Sequence, residues 1–127
     1  MRPERERGSA VVEFALVLPL LLVVALALVQ VGVLVRDRLL VEAAARAAAR
    51  AAAIEADEGA IRAAALAASA DLDPSLATVQ VVRAGAQGAP VTVTVGYEEV
   101  VRIPLVGWLF GSAIHVQSEA TDRQEFG

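Results

Sequence analysis

The 127-residue chain has no cysteine and no lysine, and only one histidine, one tryptophan and one tyrosine. Without cysteine there is no disulfide framework, no thiolate-bound metal and no thiol nucleophile. One histidine and scattered carboxylates leave little material for an active site. All eleven basic residues are arginine, and the formal net charge is −4. No basic patch is evident, which argues against nucleic-acid binding. Aromatic residues make up 4% of the chain, yet 57% of it is hydrophobic, above the usual 45–50% or so. The excess is therefore aliphatic, and it is unevenly placed.

Residues 1–8, MRPERERG, carry three arginines against two glutamates. Residues 9–35 are apolar apart from Ser9, Glu13 and Gln30, and from Phe14 to Val35 there are 22 residues without a charge. A helix of that length spans roughly 33 Å, enough to cross the ~30 Å hydrocarbon core of a bilayer. The sequence thus predicts a transmembrane helix over 9–35. The competing assignment is a cleaved secretory signal, for which Ala25-Leu26-Ala27 offers a small-x-small site. Against it, the apolar run continues eight residues past Ala27. Pro19 lies inside the run, where membrane helices tolerate it.

Residues 36–56 are rich in alanine, arginine, leucine and glutamate, all strong helix formers. No breaker separates them from the apolar run, so one rod should leave the membrane and enter water. Asp57 is placed to cap a second helix over 58–70, with Ile61, Ala65, Ala68 and Leu72 as its apolar stripe. Asp71-Leu-Asp73-Pro74 stops it.

The remainder turns to β-strand. Runs at about 78–83, 90–102 and 113–121 are valine-rich or alternating, with Val91, Val93 and Val95 opposite Thr92 and Thr94. Gly96 reads as a bulge. The expected architecture is an α+β membrane protein. It has one long N-terminal transmembrane helix extended by an alanine-rich helix, a short second helix and a small three-stranded antiparallel sheet. The second helix or the aqueous part of the rod should cover the sheet's apolar face. Between the last two strands, residues 103–112 are apolar and include Trp108 and Phe110. That loop tucks under the sheet, meets the membrane interface or contacts a partner.

The most informative feature is the junction of leader and helix. Glu13 is the fifth residue after Gly8 and is followed by Phe14. A carboxylate in lipid costs several kcal/mol unless paired or kept at the interface. On physical grounds Glu13 sits in the headgroup region near Arg7 or serves a pairing role.

The segment Gly8-Ser9-Ala10-Val11-Val12-Glu13-Phe14-Ala15-Leu16 resembles a type IV prepilin (class III) signal. More narrowly, with the Val-Leu-Pro that follows, it resembles the TadE-like pseudopilins of the Flp/Tad (tight adherence) pilus system. That resemblance implies cleavage between Gly8 and Ser9 by a membrane prepilin peptidase. It also implies an assembly role for Glu13 and Phe14, and partners among other pilins, pseudopilins and the pilus assembly machinery. It implies no cofactor, metal, catalytic residue or small-molecule substrate. Ser9 stands where major type IV pilins carry phenylalanine, and Phe14 where the major Flp pilin has tyrosine, so the match is to a minor pseudopilin.

The leader arginines outweigh Arg36 and Arg38, which Asp37 partly offsets, so the N-terminus is expected in the cytoplasm and residues 36–127 outside it. The alternative is a generic single-pass anchored or exported interaction module. An enzyme is disfavoured. His115 falls on the solvent side of its strand without a placed partner, and Asp71 with Asp73 lacks the length and glycine placement of an EF-hand loop.

Overall fold

The computed structural model describes residues 3–100, 108, 111 and 113–127. Its first element, α1, runs unbroken from Pro3 to Ile54, 52 residues, or about 78 Å at 1.5 Å per residue. The helix begins inside the charged leader, with Glu4 and Glu6 in its first turn, where carboxylates favour the positive end of the helix dipole. It passes through Pro19 without interruption.

Along this rod the surroundings change. Residues 4–22 are all exposed. Further on, a buried stripe starts at Gln30 and continues through Asp37, Val41, Ala44, Ala45, Ala48, Ala49, Ala52 and Ala53. The stripe advances by seven and four residues to Val41 and then as adjacent pairs repeating every four, so it holds one side of a 3.6-residue helix. It is mostly alanine because another layer of backbone lies close against it. Larger side chains from elsewhere fill the seam: Ile61 of the second helix, and Val91, Val93, Val95 and Tyr97 of the sheet. Small residues on the rod thus complement large ones on the sheet.

The second helix, α2, spans Glu58–Ala68. Asp57 caps it, its carboxylate accepting from the backbone N–H of Gly59 at 3.3 Å and of Ala60 at 3.2 Å. Of its expected stripe, Ile61, Ala65 and Leu72 are buried, but Ala68 is exposed. Ser69 is buried instead and donates its hydroxyl to the carbonyl of Ala65 at 2.9 Å, satisfying itself inside the core. A 3-10 turn, Pro74–Leu76, follows. Asp73 caps it through the N–H of Ser75 at 2.9 Å. Arg62 then ties α2 to this turn, donating to the carbonyls of Pro74 and Ala77.

Three strands complete the chain: β1 Ala77–Arg83, β2 Pro90–Val100 and β3 Ala113–Arg123. They form one antiparallel sheet in the order β1-β2-β3. Gly88, at φ +86°, makes the turn between the first two, a conformation that costs glycine nothing. α1 covers the sheet across β2 and β3, while α2 packs beside α1 and barely touches β1. The rod, rather than α2, is the roof of the sheet.

Gly96 does not form a bulge. Pairing runs without a slip through Thr78↔Gly96 on one side and Gly96↔Gln117 on the other. The glycine is there for space: a Cβ at this position would lie 2.7 Å from Thr78 Oγ1 and 3.1 Å from His115 Cε1. Neighbouring side chains close over it from both flanking strands.

The C-terminal end of α1 has no basic residue of its own in its last turn. The cation comes from β1. Arg83 donates to the carbonyls of Ala52 and Glu55, both at 2.8 Å, and to Gln124 Oε1 at 3.1 Å. Its guanidinium lies 5.0 Å from the ring centre of Phe126. The Glu125 N–H donates to the Ala53 carbonyl at 2.7 Å. Carbonyls that a helix end leaves without partners are thereby met by distant parts of the chain. Replacing Arg83 by alanine strands the Ala52 carbonyl in a partly buried site and leaves the Glu55 carbonyl to water. Hydrogen bonds from charged donors are worth about 1.5–3 kcal/mol, so Arg83→Ala should lower stability by about 2 kcal/mol. Denaturant unfolding of the full chain in micelles, followed by circular dichroism, measures this; an unchanged midpoint would remove Arg83 from the lock.

Candidate functional site

Gly8, Ser9, Glu13 and Phe14 all lie within α1, and all four are exposed. Ser9 and Glu13 are four residues apart, so they share a helix face one turn from each other. A Cβ at Gly8 would find nothing within 4 Å. Glycine is also the weakest helix former after proline, by about 1 kcal/mol against alanine. Gly8 is therefore an exposed point at the junction of leader and helix, and one where the helix is intrinsically weak.

The apolar side chains around this site have no cover in the chain itself. Phe14 is 63% exposed, and Val11, Val12, Leu16, Leu18 and Leu20 are exposed with it. By length and composition α1 can cross a membrane, and the apolar window is entirely unburied. Soluble proteins seldom expose so large a continuous apolar surface. Within it, Glu13 is the lone formal charge between Arg7 and Arg36. Among the described residues, the ion pairs join Arg36 to Asp37 and Asp71, and Glu42 to Arg38 and Arg46; none reaches Glu13. Arg7 does not pair with it.

The second set of expected contact residues lies elsewhere. Trp108 is 79% exposed, so it does not tuck under the sheet. Phe110 lies outside the described residues, as do Val101 and Arg102 at the expected end of the second strand. The strand after this loop meets α1 near Val31 and Leu34, about 27 Å along the helix from Glu13.

The residues weighed for catalysis or metal binding have structural work. Asp71 pairs with Arg36 at 3.0 Å, and Asp73 caps the 3-10 turn. His115 is exposed on β3 and stands opposite Glu98 in register. Among the described residues no cluster of three histidines or acidic residues could hold a metal.

Two features of α1 escaped the sequence pattern. Gln30 and Asp37 are each only 3% exposed, although both are polar and flank the end of the apolar run. Gln30 Nε2 has no hydrogen-bond partner, whereas Asp37 meets Arg36 at 3.4 Å. The signal was present as their seven-residue spacing, in phase with Val41 and Ala44, but a polar residue in such a stripe is easily read as surface. Beside them, between α1 and β3, runs a groove of about 450 Å³ walled by Val31, Leu34, Val35, Ile114 and Val116. It is formed by residues some eighty positions apart, so no local motif announces it.

No curated protein and no solved structure matches the chain. Residues 8–50 match the model of the TadE-like protein family. The match takes in Gly8, Ser9, Glu13, Phe14 and the buried stripe as far as Ala49, and over this stretch the chain is similar to that family.

Proposed function

We propose that this chain is a minor pseudopilin acting in assembly of a Flp/Tad-type pilus for adhesion or secretion. The observation that carries the proposal is the TadE-family match over an apolar helix whose single charge, Glu13, has neither cover nor ion pair in its own chain. The helix crosses the cytoplasmic membrane once, with Gly8 on the cytoplasmic side and the sheet outside. Prepilin peptidase cuts between Gly8 and Ser9, removing three arginines and two glutamates. The new cationic amine on Ser9 then lies one helical turn from Glu13.

A carboxylate and an amine in a low-dielectric setting attract far more strongly than in water. Across neighbouring subunits such a pair fixes the axial register of one helix against the next, as a buried polar residue does in coiled coils. Phe14, exposed beside Glu13, supplies apolar contact in the same interface. Trp108, exposed at the other end of the chain, is assigned a contact with the membrane interface or a partner, and Phe110 is placed with it by sequence alone. The proposal includes no cofactor and no catalytic step by this chain.

Two experiments test the role. Intact-mass measurement after co-expression with the cognate peptidase should find a chain beginning at Ser9, and Gly8→Val should leave it beginning at Met1. A wild-type chain beginning near residue 28 would instead mark a cleaved secretory signal, and an uncut one would mark a plain anchor. Glu13→Ala should leave cleavage largely intact and sharply reduce pili counted by electron microscopy. Normal piliation in that variant would remove the register role.

A further inference from the structure

We infer that the groove between α1 and β3 holds the acyl chain of a bilayer lipid, so that the near end of the sheet rests on the membrane surface. The inference rests on α1 crossing the bilayer and not on the pilus role. The α1 wall of the groove consists of Val31, Leu34 and Val35, the last residues of the apolar run. The opposite wall is Ile114 and Val116 of β3. The groove is therefore continuous with the helix surface that faces lipid.

Its depth follows from length. From Ala10 to Val35 the helix runs 26 residues, about 39 Å against a hydrocarbon core of ~30 Å. With Ala10 at the inner boundary, the outer boundary falls near Gln30. Cover of the helix comes in around that level: residues 4–22 are bare, Val23, Leu26 and Ala27 are half-buried, and Gln30 is the first buried residue. The groove thus opens at the border of acyl chains and headgroups.

Polarity changes along the groove in the matching direction. One turn beyond Leu34 and Val35, Arg38 lines it, while on β3 the exposed His115 and Gln117 alternate with Ile114 and Val116. Arg38 is largely exposed and its Nε lies 3.6 Å from Glu42, leaving other guanidinium donors directed to the surroundings. An apolar floor beneath a basic rim suits a phospholipid, with chains below and phosphate above.

The absence of cysteine allows a single label at any chosen site. The full chain is reconstituted at high lipid-to-protein ratio in vesicles of phosphatidylcholine and phosphatidylglycerol. A nitroxide is placed through Ile114→Cys and, in case that half-buried site misfolds, through exposed His115→Cys. Leu22→Cys marks the span, and Thr121→Cys marks the far end of β3. Collision with oxygen, which partitions into lipid, is compared with collision with a water-soluble nickel chelate. The expected result is oxygen-dominated collision at Ile114, and at His115 a ratio shifted from that of Thr121 towards that of Leu22. Nickel access at both β3 sites equal to that at Thr121 overturns the inference. So does a lipid-like signal that appears only as protein is crowded, because a second copy then fills the groove. Nickel access at Leu22 overturns the membrane span and the inference together, and a normal Leu22 signal shows that the span holds whatever the groove does.

Discussion

The structure depends on a single continuous helix that must satisfy two solvents. From Ala10 to Leu22 α1 is apolar on nearly every side, and nothing among the described residues covers it. Over its second half it presents a narrow alanine stripe, and β2 and β3 are built against that stripe. The changeover is gradual, from Val23, the first half-buried residue, through Gln30, the first buried one, to Val41, where the continuous seam starts. A helix satisfies its own backbone hydrogen bonds at any depth, so it alone among simple elements can pass through that change without a break. Pro19 lies in the uncovered half, where no packed neighbour depends on its geometry.

The alanine stripe decides what the other elements can be. Alanine loses little side-chain entropy and buries little area, so the packing partners must bring the bulk. Val91, Val93, Val95 and Tyr97 do this from β2, the central strand, and Ile61 does it from α2. The helix end is then fixed by groups remote in sequence, Arg83 and Glu125, which reach the carbonyls of Ala52, Ala53 and Glu55. The sheet is covered by the rod, and the rod is capped by the sheet. Each element's placement requires the other's.

Local pattern made much of this legible. The unbroken apolar run, the lack of a breaker after Val35, the Asp57 cap and the alternation at Val91, Val93 and Val95 lead to one long helix, a short helix and an antiparallel sheet. What local pattern could not carry were properties set by neighbours across the fold. Gly96 was legible as unusual, but a bulge and a crowded site look alike in one strand; only Thr78 and His115 on the flanking strands distinguish them. Ser69 replaced Ala68 inside because a hydroxyl bonded to the Ala65 carbonyl can be buried at little cost. Arg83 looked like the end of a strand and is the cap of a helix. At the candidate site, the spacing of Gly8, Ser9 and Glu13 was legible in full, since a single helix converts spacing directly into faces.

The division of α1 has a consequence for movement. Residues 4–22 make no buried contact with the sheet or with α2, so their surroundings can be exchanged without disturbing the core. Lipid could give way to neighbouring helices around Phe14 and Leu18 while the seam from Val41 to Ala53 stays closed. Such an exchange has almost no hydrophobic driving force, because a lipid tail is as apolar as leucine. The preference for protein over lipid must then come from polar groups, which lipid cannot satisfy. In the uncovered half the charged candidate is Glu13. Under the proposed assembly role, the selectivity of that transfer would rest on Glu13, the residue for which the bilayer is a poor solvent, and the aliphatic residues around it would permit the move without directing it.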